Sequence, residues 1–304
     1  MNNTTMSEGS EAFVERVHND IAYGALQEES RRMQERCNQA NQEREKPLIY
    51  SHITALALLG AELPKQTRLS TNALHVAVRN NNARYQQQGI KRLRWSNGAG
   101  LDQPYIVGDV QCVPPAVAWA QMAQYLTLSE LVVLADSLTR RDKRMKLCER
   151  NDFVILLAES GLFWGKQKCK KALRLMKEDT DSSQETRTRL VLRQHGLPDM
   201  EVNHAVYDDA GDHIWLLDMA FPDQKVCIEY QGDQHRTDKH QYRQDNIKQR
   251  HLRDMGWAVI CATAKDLSSA EAKLDLARSV AKALHMRLPP KLTGVCRYLL
   301  EEII

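Results

Sequence analysis

Between residues 203 and 231 the chain reads as three strands in quick succession, at 203–207, 214–220 and 225–231, and the last two each carry a carboxylate in an otherwise apolar run. Asp218 lies near the end of the second strand and Glu229 in the later part of the third, eleven positions on. The turn between the first two strands, Asp208-Asp209-Ala210-Gly211-Asp212, has hairpin chemistry. Side chains two apart on a strand share a face, so Glu229 and Gln231 point the same way. A carboxylate that continues Val226-Cys227-Ile228 is costly to bury alone, and two converging carboxylates are matched by a divalent cation that prefers hard oxygen ligands. Mg2+ is the usual choice and Mn2+ the alternative; such an ion activates water and neutralises charge developing on a phosphodiester.

The surroundings extend this pattern to αβββαβα. A helix over 183–195 precedes the strands, with Glu185 three residues after Ser182 as in a capping box, and Gly196-Leu197-Pro198 stops it. A charged helix over 239–255 follows, closed by Gly256, then a strand at 257–261 in which Trp257 is core, and a long helix over 264–286.

Upstream, residues 7–45 are polar, with Phe13, Val14, Val17, Ile21, Ala25 and Leu26 at roughly helical spacing. One amphipathic helix is expected there, its second half lying on the surface or fraying. A globular segment begins at Pro47, with a helix capped by Ser51, strands at 74–78, 90–95 and within 105–113, a helix opened by Pro114-Pro115, and another over 128–138. The organisation predicted is a polar helical segment 1–46, a smaller α+β domain 47–140, a basic helical connector 141–180 and an α/β domain 181–304. In the connector Lys166, Lys168, Lys170, Lys171, Arg174 and Lys177 form a cationic block, readable either as a solvated helix face or as a phosphate-binding patch.

Composition narrows the class. With 304 residues, 42% hydrophobic, 27% charged and a net charge of +3, the chain is an ordinary globular one, too balanced to coat nucleic acid by bulk charge. No apolar run reaches the roughly 20 residues needed to cross a bilayer, and the N-terminus has no signal-peptide pattern, so no membrane association is expected. The seven cysteines, Cys37, Cys112, Cys148, Cys169, Cys227, Cys261 and Cys296, are scattered without a C-x-x-C, which fits reduced thiols in a cytoplasm. Phosphate-loop, dinucleotide, zincin and serine-hydrolase motifs are absent from the sequence.

The αβββαβ order, the Asp218/Glu229 spacing and the run Glu229-Tyr230-Gln231-Gly232-Asp233-Gln234-His235 resemble the PD-(D/E)xK nuclease superfamily, in particular its very-short-patch-repair-like endonuclease branch. Glu229, Tyr230, Gly232 and His235 match the branch pattern, as do Asp245 on the following helix and Gly256-Trp257 after it. The resemblance covers about the last 120 residues. Ser51-His52-x-Thr54-Ala55, Leu74-His75-Val76 and residues 114–124 are similar to the middle region of abortive-infection type IV antitoxin-labelled (AbiEi-like) proteins, although residues 1–47 lack the helix-turn-helix and wing of that family. Where the nuclease superfamily usually has Lys and this branch commonly Asp, this chain has Gln231, which supplies neither a cation to orient water nor a third anionic ligand.

The resemblance implies a restriction-endonuclease-like fold and a metal-dependent DNA endonuclease. Asp218 and Glu229 would ligate Mg2+, with Glu185 as a further carboxylate or simply a helix cap. His235 would serve as general base or proton shuttle, Gln231 would hold water through its amide oxygen, and Lys239, Arg243 and Lys248 would reach phosphates. Asp245 is read as an arginine partner, and a zinc site from His235, His240 and Cys227 lacks a nameable fourth ligand. A homodimer would be one way to cut both strands. The rival reading is a non-catalytic DNA-binding or antitoxin-like protein that keeps the nuclease fold as a scaffold.

Overall fold

The structure, a computed structural model, describes residues 5–42, 44–80, 88–207, 213–232 and 239–290, with side chains from residue 20 onward except those of 213–214 and 239–245. The hairpin turn expected at 208–212 and His235 therefore lie outside the described residues. The protein is a mixed α/β chain with two sheets, and it divides into two compact units, Ile21–Glu178 and Asp179–Ile304 together with Met1–Asp20.

Helix α1 (Thr5–Asn41), which enters the first unit at Ile21, continues well past the point where fraying was expected. The reason lies in a few residues of its otherwise polar second half. Ser30, Met33 and Cys37 are buried, the Ser30 hydroxyl donates to Leu58 O (2.6 Å), and the Tyr50 hydroxyl donates to Cys37 O (2.9 Å). The five-stranded sheet is built from β1 (Ile49–Tyr50), β2 (Leu74–Val78), β3 (Ile90–Arg94), β4 (Tyr105–Val107) and β5 (Val110–Cys112), in the order β3-β2-β1-β5-β4. Helices α2 (His52–Leu58) and α3 (Pro115–Met122) are buried all round and pack on each other, as their Ala-rich, uncharged sequences demand. The chain continues through α4 (Leu128–Leu138), α5 (Arg150–Glu159) and α6 (Lys166–Leu175), with α6 against α4 and α5. Trp119 of α3 fixes this layer: its indole N–H donates to Leu131 O (2.9 Å) and its ring meets Phe153 of α5 at 4.6 Å between centroids.

Ser51 precedes α2 as expected but does not cap it through its side chain; its hydroxyl oxygen instead lies 2.9 Å from His52 Nδ1. His52 and His75 are both fully enclosed, and His75 Nδ1 lies 3.3 Å from Thr54 Oγ1. Burial, reinforced by His75 and by Lys91, pushes His52 down to about 3, while burial and Lys91 push His75 down to about 4. Both imidazoles are thus neutral in the fold and take protons on unfolding. Their contribution to stability is whole above the ordinary histidine value of 6.5 and is lost as pH falls toward 4 and below. Thermal melts between pH 7 and 4 should show this loss, with a shallower pH slope in His75→Asn than in the wild type; an unchanged slope would exclude His75 as a source.

The second unit runs α7 (Ser183–Gln194), β6 (Glu201–Tyr207), β7 (His213–Phe221), β8 (Val226–Gln231), α8 (Lys239–Asp254), β9 (Ala258–Thr263) and α9 (Ala270–Ala283). The sheet order is β6-β7-β8-β9, antiparallel except for the parallel β8/β9 pair. One face carries Met219, Phe221, Val226 and Ile228 against Leu192 of α7 and Leu276, Ala277 and Val280 of α9; the other carries Trp215, Leu217, Ala220 and Cys227 against Leu252 of α8 and Trp257. Gly256, at φ 84°, takes the left-handed conformation that lets Trp257 N–H donate back to Leu252 O (2.8 Å) and closes α8.

The long helix expected over 264–286 is broken. A 3-10 turn, Ala264–Leu267, opens on a capping box in which the Asp266 carboxylate accepts from the Thr263 N–H (2.8 Å), and α9 then starts afresh on its own cap, Ser269. Two successive capping side chains outcompete helix continuity.

Candidate functional site

The site is built where two strands of the second unit lose their regular alternation. On β7, Leu217 and Ala220, three apart, face α8, whereas Met219 and Phe221 face α7 and α9, so the in-out pattern resets at Asp218. On β6, Asn203 falls between the paired residues Val202↔Met219 and His204↔Leu217, opposite Asp218, and adopts φ 51°. Asn tolerates this left-handed conformation better than other side-chain-bearing residues, and its amide donates to Asp179 O. The two strands bend together without changing register, and Asp218 stands at the bend. It lies in mid-strand rather than near the strand's end, because β7 extends to Phe221.

Beyond Met219↔Ile228 the β7/β8 pairing passes to side chains. The Asp218 N–H donates to Glu229 Oε1 (3.3 Å), and the Tyr230 N–H donates to Asp218 Oδ2 (2.7 Å). The two carboxylates thus take up main-chain donors at the point where the strands part, which brings them together as the sequence suggested. From α8, Lys248 donates to Glu229 Oε2 (2.7 Å) and to Leu216 O (2.6 Å). Both members of this ion pair are largely buried, each side chain being 13% exposed.

Electrostatics follow from this crowding. Burial first, and the Glu229 charge second, push Asp218 up to about 8, although Lys248 and the Tyr230 N–H pull the other way. Glu185 on α7 is pushed well above the usual carboxylate range by burial, then by the charges of Asp218 and Asp181. Glu185 also behaves as a cap residue: its N–H donates to Ser182 Oγ (3.2 Å) and its Oε2 accepts from the Asp181 N–H (3.2 Å).

Gln231 is on the same strand as Glu229 but engages Cys261, its amide N–H lying 3.4 Å from the sulfur; Gln249 of α8 donates to the same sulfur at 3.3 Å. The side chains of Lys239 and Arg243 on α8 lie outside the described residues, as does His235. In the first unit, Lys166 donates to Ser160 O and Gly161 O, and Lys168 donates to Leu126 O (2.7 Å). Lys170 and Arg174 are exposed and Lys171 is half-buried.

Lys248 was read from the sequence as a phosphate contact, and its seat against Glu229 was missed. Nothing in the local pattern shows it, since the contact depends on how α8 lies over β8. Asn203 carried no signal either, because an Asn in a strand is ordinary until its dihedral is seen.

Among the described residues no group of three or more His, Cys, Asp or Glu side chains converges closely enough to hold a metal ion. The donor chemistry nevertheless fits a Mg2+-type ion, which typically takes one or two protein carboxylates and completes its shell with water and substrate phosphate. Asp218 and Glu229 are such a pair, both largely buried, and the rise of Asp218 to about 8, from burial first and the Glu229 charge second, shows that its carboxylate lacks full compensation in this setting.

No protein-family model matches the chain, and no solved structure does. Two curated relatives from Mycobacterium tuberculosis, the uncharacterized proteins MT2308 and Rv2248, are each 22% identical over 160 residues. The match covers 53% of this chain and 57% of each relative, so the chain spans a little over half the length of the curated proteins it resembles. Among the described residues no helix is long and apolar enough to cross a membrane.

Proposed function

We propose that the second unit is a metal-dependent DNA endonuclease with a restriction-endonuclease-like core. The observation that carries this reading is the carboxylate pair Asp218/Glu229 at a strand parting, with the Lys248 ammonium on Glu229. The mixed four-stranded sheet, with α7 and α9 on one face and α8 on the other, supports the core assignment.

In this reading Asp218 and Glu229 hold a divalent cation, Mg2+ or Mn2+, which when bound supplies Lewis-acid neutralisation of the scissile phosphate and a more acidic water. Lys248 provides from α8 the positive charge that Gln231 does not provide from β8. With a cation on the carboxylates, the Lys248 ammonium would be available to the phosphate or to the attacking water. Gln231 is a positioning residue, its amide tied to Cys261. A second copy of the chain would serve the second strand.

Titration calorimetry with Mn2+ tests the metal centre. The wild type is expected to bind, Glu229→Gln and Asp218→Asn to lose at least about 10-fold in affinity, and Arg174→Glu to bind as the wild type does. Undiminished binding in both carboxylate variants would remove the centre from this place.

One observation favours the rival reading of a DNA-binding or antitoxin-like scaffold without catalysis. Gln231 occupies the usual lysine position and is bonded away to Cys261, so a protein in which Lys248 stayed on Glu229 would bind without cutting.

A further inference from the structure

The first unit holds two large apolar side chains almost wholly in water: Leu162 is 90% exposed and Trp164 is 85% exposed. The turn that carries them, between α5 and α6, is fixed at three points. Phe163, between the two exposed residues, packs inward on Trp95 with ring centroids 5.0 Å apart. Lys166 donates to Ser160 O and Gly161 O across the turn. Gly165, at φ 91°, lies so near α3 that a Cβ there would come within 2.7 Å of the Ala123 Cβ. A turn anchored in this way presents Trp164 without an ordering cost at the moment of binding.

The charge beside it is one-sided. Residues 160–177 contain six cations, Lys166, Lys168, Lys170, Lys171, Arg174 and Lys177, and no carboxylate. Lys170 and Arg174 are exposed and, four apart on α6, share a face. An exposed π-face on the turn that leads into a helix with two exposed cations four apart complements a strand whose bases are unstacked and whose backbone is a line of phosphates. A duplex offers the phosphates but keeps its base faces stacked, and a bilayer surface offers the charge but would have to take up a turn whose middle residue is locked inward.

We propose that Trp164, with Lys170 and Arg174, forms a binding surface for single-stranded nucleic acid: an unpaired base stacks on the indole and adjoining phosphates are held by the two cations. The surface belongs to the first unit and uses neither carboxylate, and its binding is read without divalent metal, so failure of the nuclease reading leaves it intact.

Intrinsic fluorescence isolates this surface, because Trp95, Trp119, Trp215 and Trp257 are all buried, at 4%, 0%, 2% and 7% exposure. The full-length chain at low salt, with chelator present, would be titrated with oligothymidylate, oligouridylate, a duplex of equal length and phosphatidylserine vesicles. Quenching by one or both single strands, with at least about 10-fold weaker response to the duplex, is the expected result. Anisotropy of a labelled oligothymidylate should then show about 10-fold weaker binding to Trp164→Ala, and Lys170→Glu/Arg174→Glu should lower the salt slope by about 1.4. Near-ultraviolet dichroism of each variant verifies that it folds. Equal quenching by the duplex, a response to vesicles alone, a response to protein concentration alone, or wild-type affinity in folded Trp164→Ala would each overturn the proposal.

Discussion

Asp218→Asn is expected to abolish metal-dependent cleavage, by at least about 100-fold, and at the same time to make the metal-free protein more stable at alkaline pH. The second effect follows from the direction of the Asp218 shift. Its carboxyl is raised from the ordinary 3.8 to about 8 by burial and by Glu229, so between those values the folded chain holds a proton that the unfolded chain releases. The stabilisation this provides is whole below about pH 4 and is lost as pH rises through about 8. An Asn keeps an oxygen for the Tyr230 N–H and never acquires the charge. Its melting temperature should exceed the wild type's by roughly 3 °C or more at pH 9 and equal it only below about pH 4. Scanning calorimetry at the two pH values reads the difference. A variant that is inactive and less stable at both would show that Asp218 serves packing instead.

Lys248→Met carries the other large effect, with the opposite sign on stability. Removing the ammonium takes a buried partner from Glu229 and a donor from Leu216 O, and breaking a buried pair of this kind costs about 3 kcal/mol. Glu229→Gln in the same chain should recover much of that loss, since no buried charge then remains to be neutralised. Cleavage should not recover in the double variant. Gln231→Lys introduced into Lys248→Met separates structure from chemistry: it returns a cation to the neighbourhood of Glu229 from β8, and partial restoration of cleavage is expected. Denaturant unfolding and nicking assays on the wild type, Lys248→Met, Glu229→Gln and their double variant form a cycle in which the stability and activity couplings can differ.

How far the sequence carried the reading depends on the range of the forces involved. The strands of the second unit and the caps at Ser182 and Gly256 are local, set by period-two patterning, side-chain capping and turn chemistry within a few residues, and they were legible. The nearness of Asp218 and Glu229 was legible too, because adjacent antiparallel strands force it. The splay that lets each carboxylate accept a main-chain N–H was not, since it arises from the paired bend at Asn203 and Asp218 on neighbouring strands. Lys248 escaped for a related reason: a lysine on a highly charged helix reads as solvated until the helix is laid over the sheet. In α1 the error ran the other way. A stretch with so few large apolar residues reads as lying on the surface or fraying, yet the buried Ser30, Met33 and Cys37 and the bonds to Leu58 and Tyr50 tie the helix down. The break between the 3-10 turn and α9 was local and therefore readable; Ser269, whose side chain accepts from the Ala272 N–H, is a cap that continuous amphipathicity masked.

The most direct measurement is nicking of supercoiled plasmid and of a short duplex by the purified full-length chain in Mg2+ or Mn2+, with Asp218→Ala, Glu229→Ala and Gln231→Lys alongside. The account predicts cleavage by the wild type, none by either alanine variant, and no requirement for the lysine at position 231. A wild type that binds DNA without cutting it, while Gln231→Lys begins to cut, would contradict the role given to Lys248 and leave a nuclease fold kept as a binding scaffold.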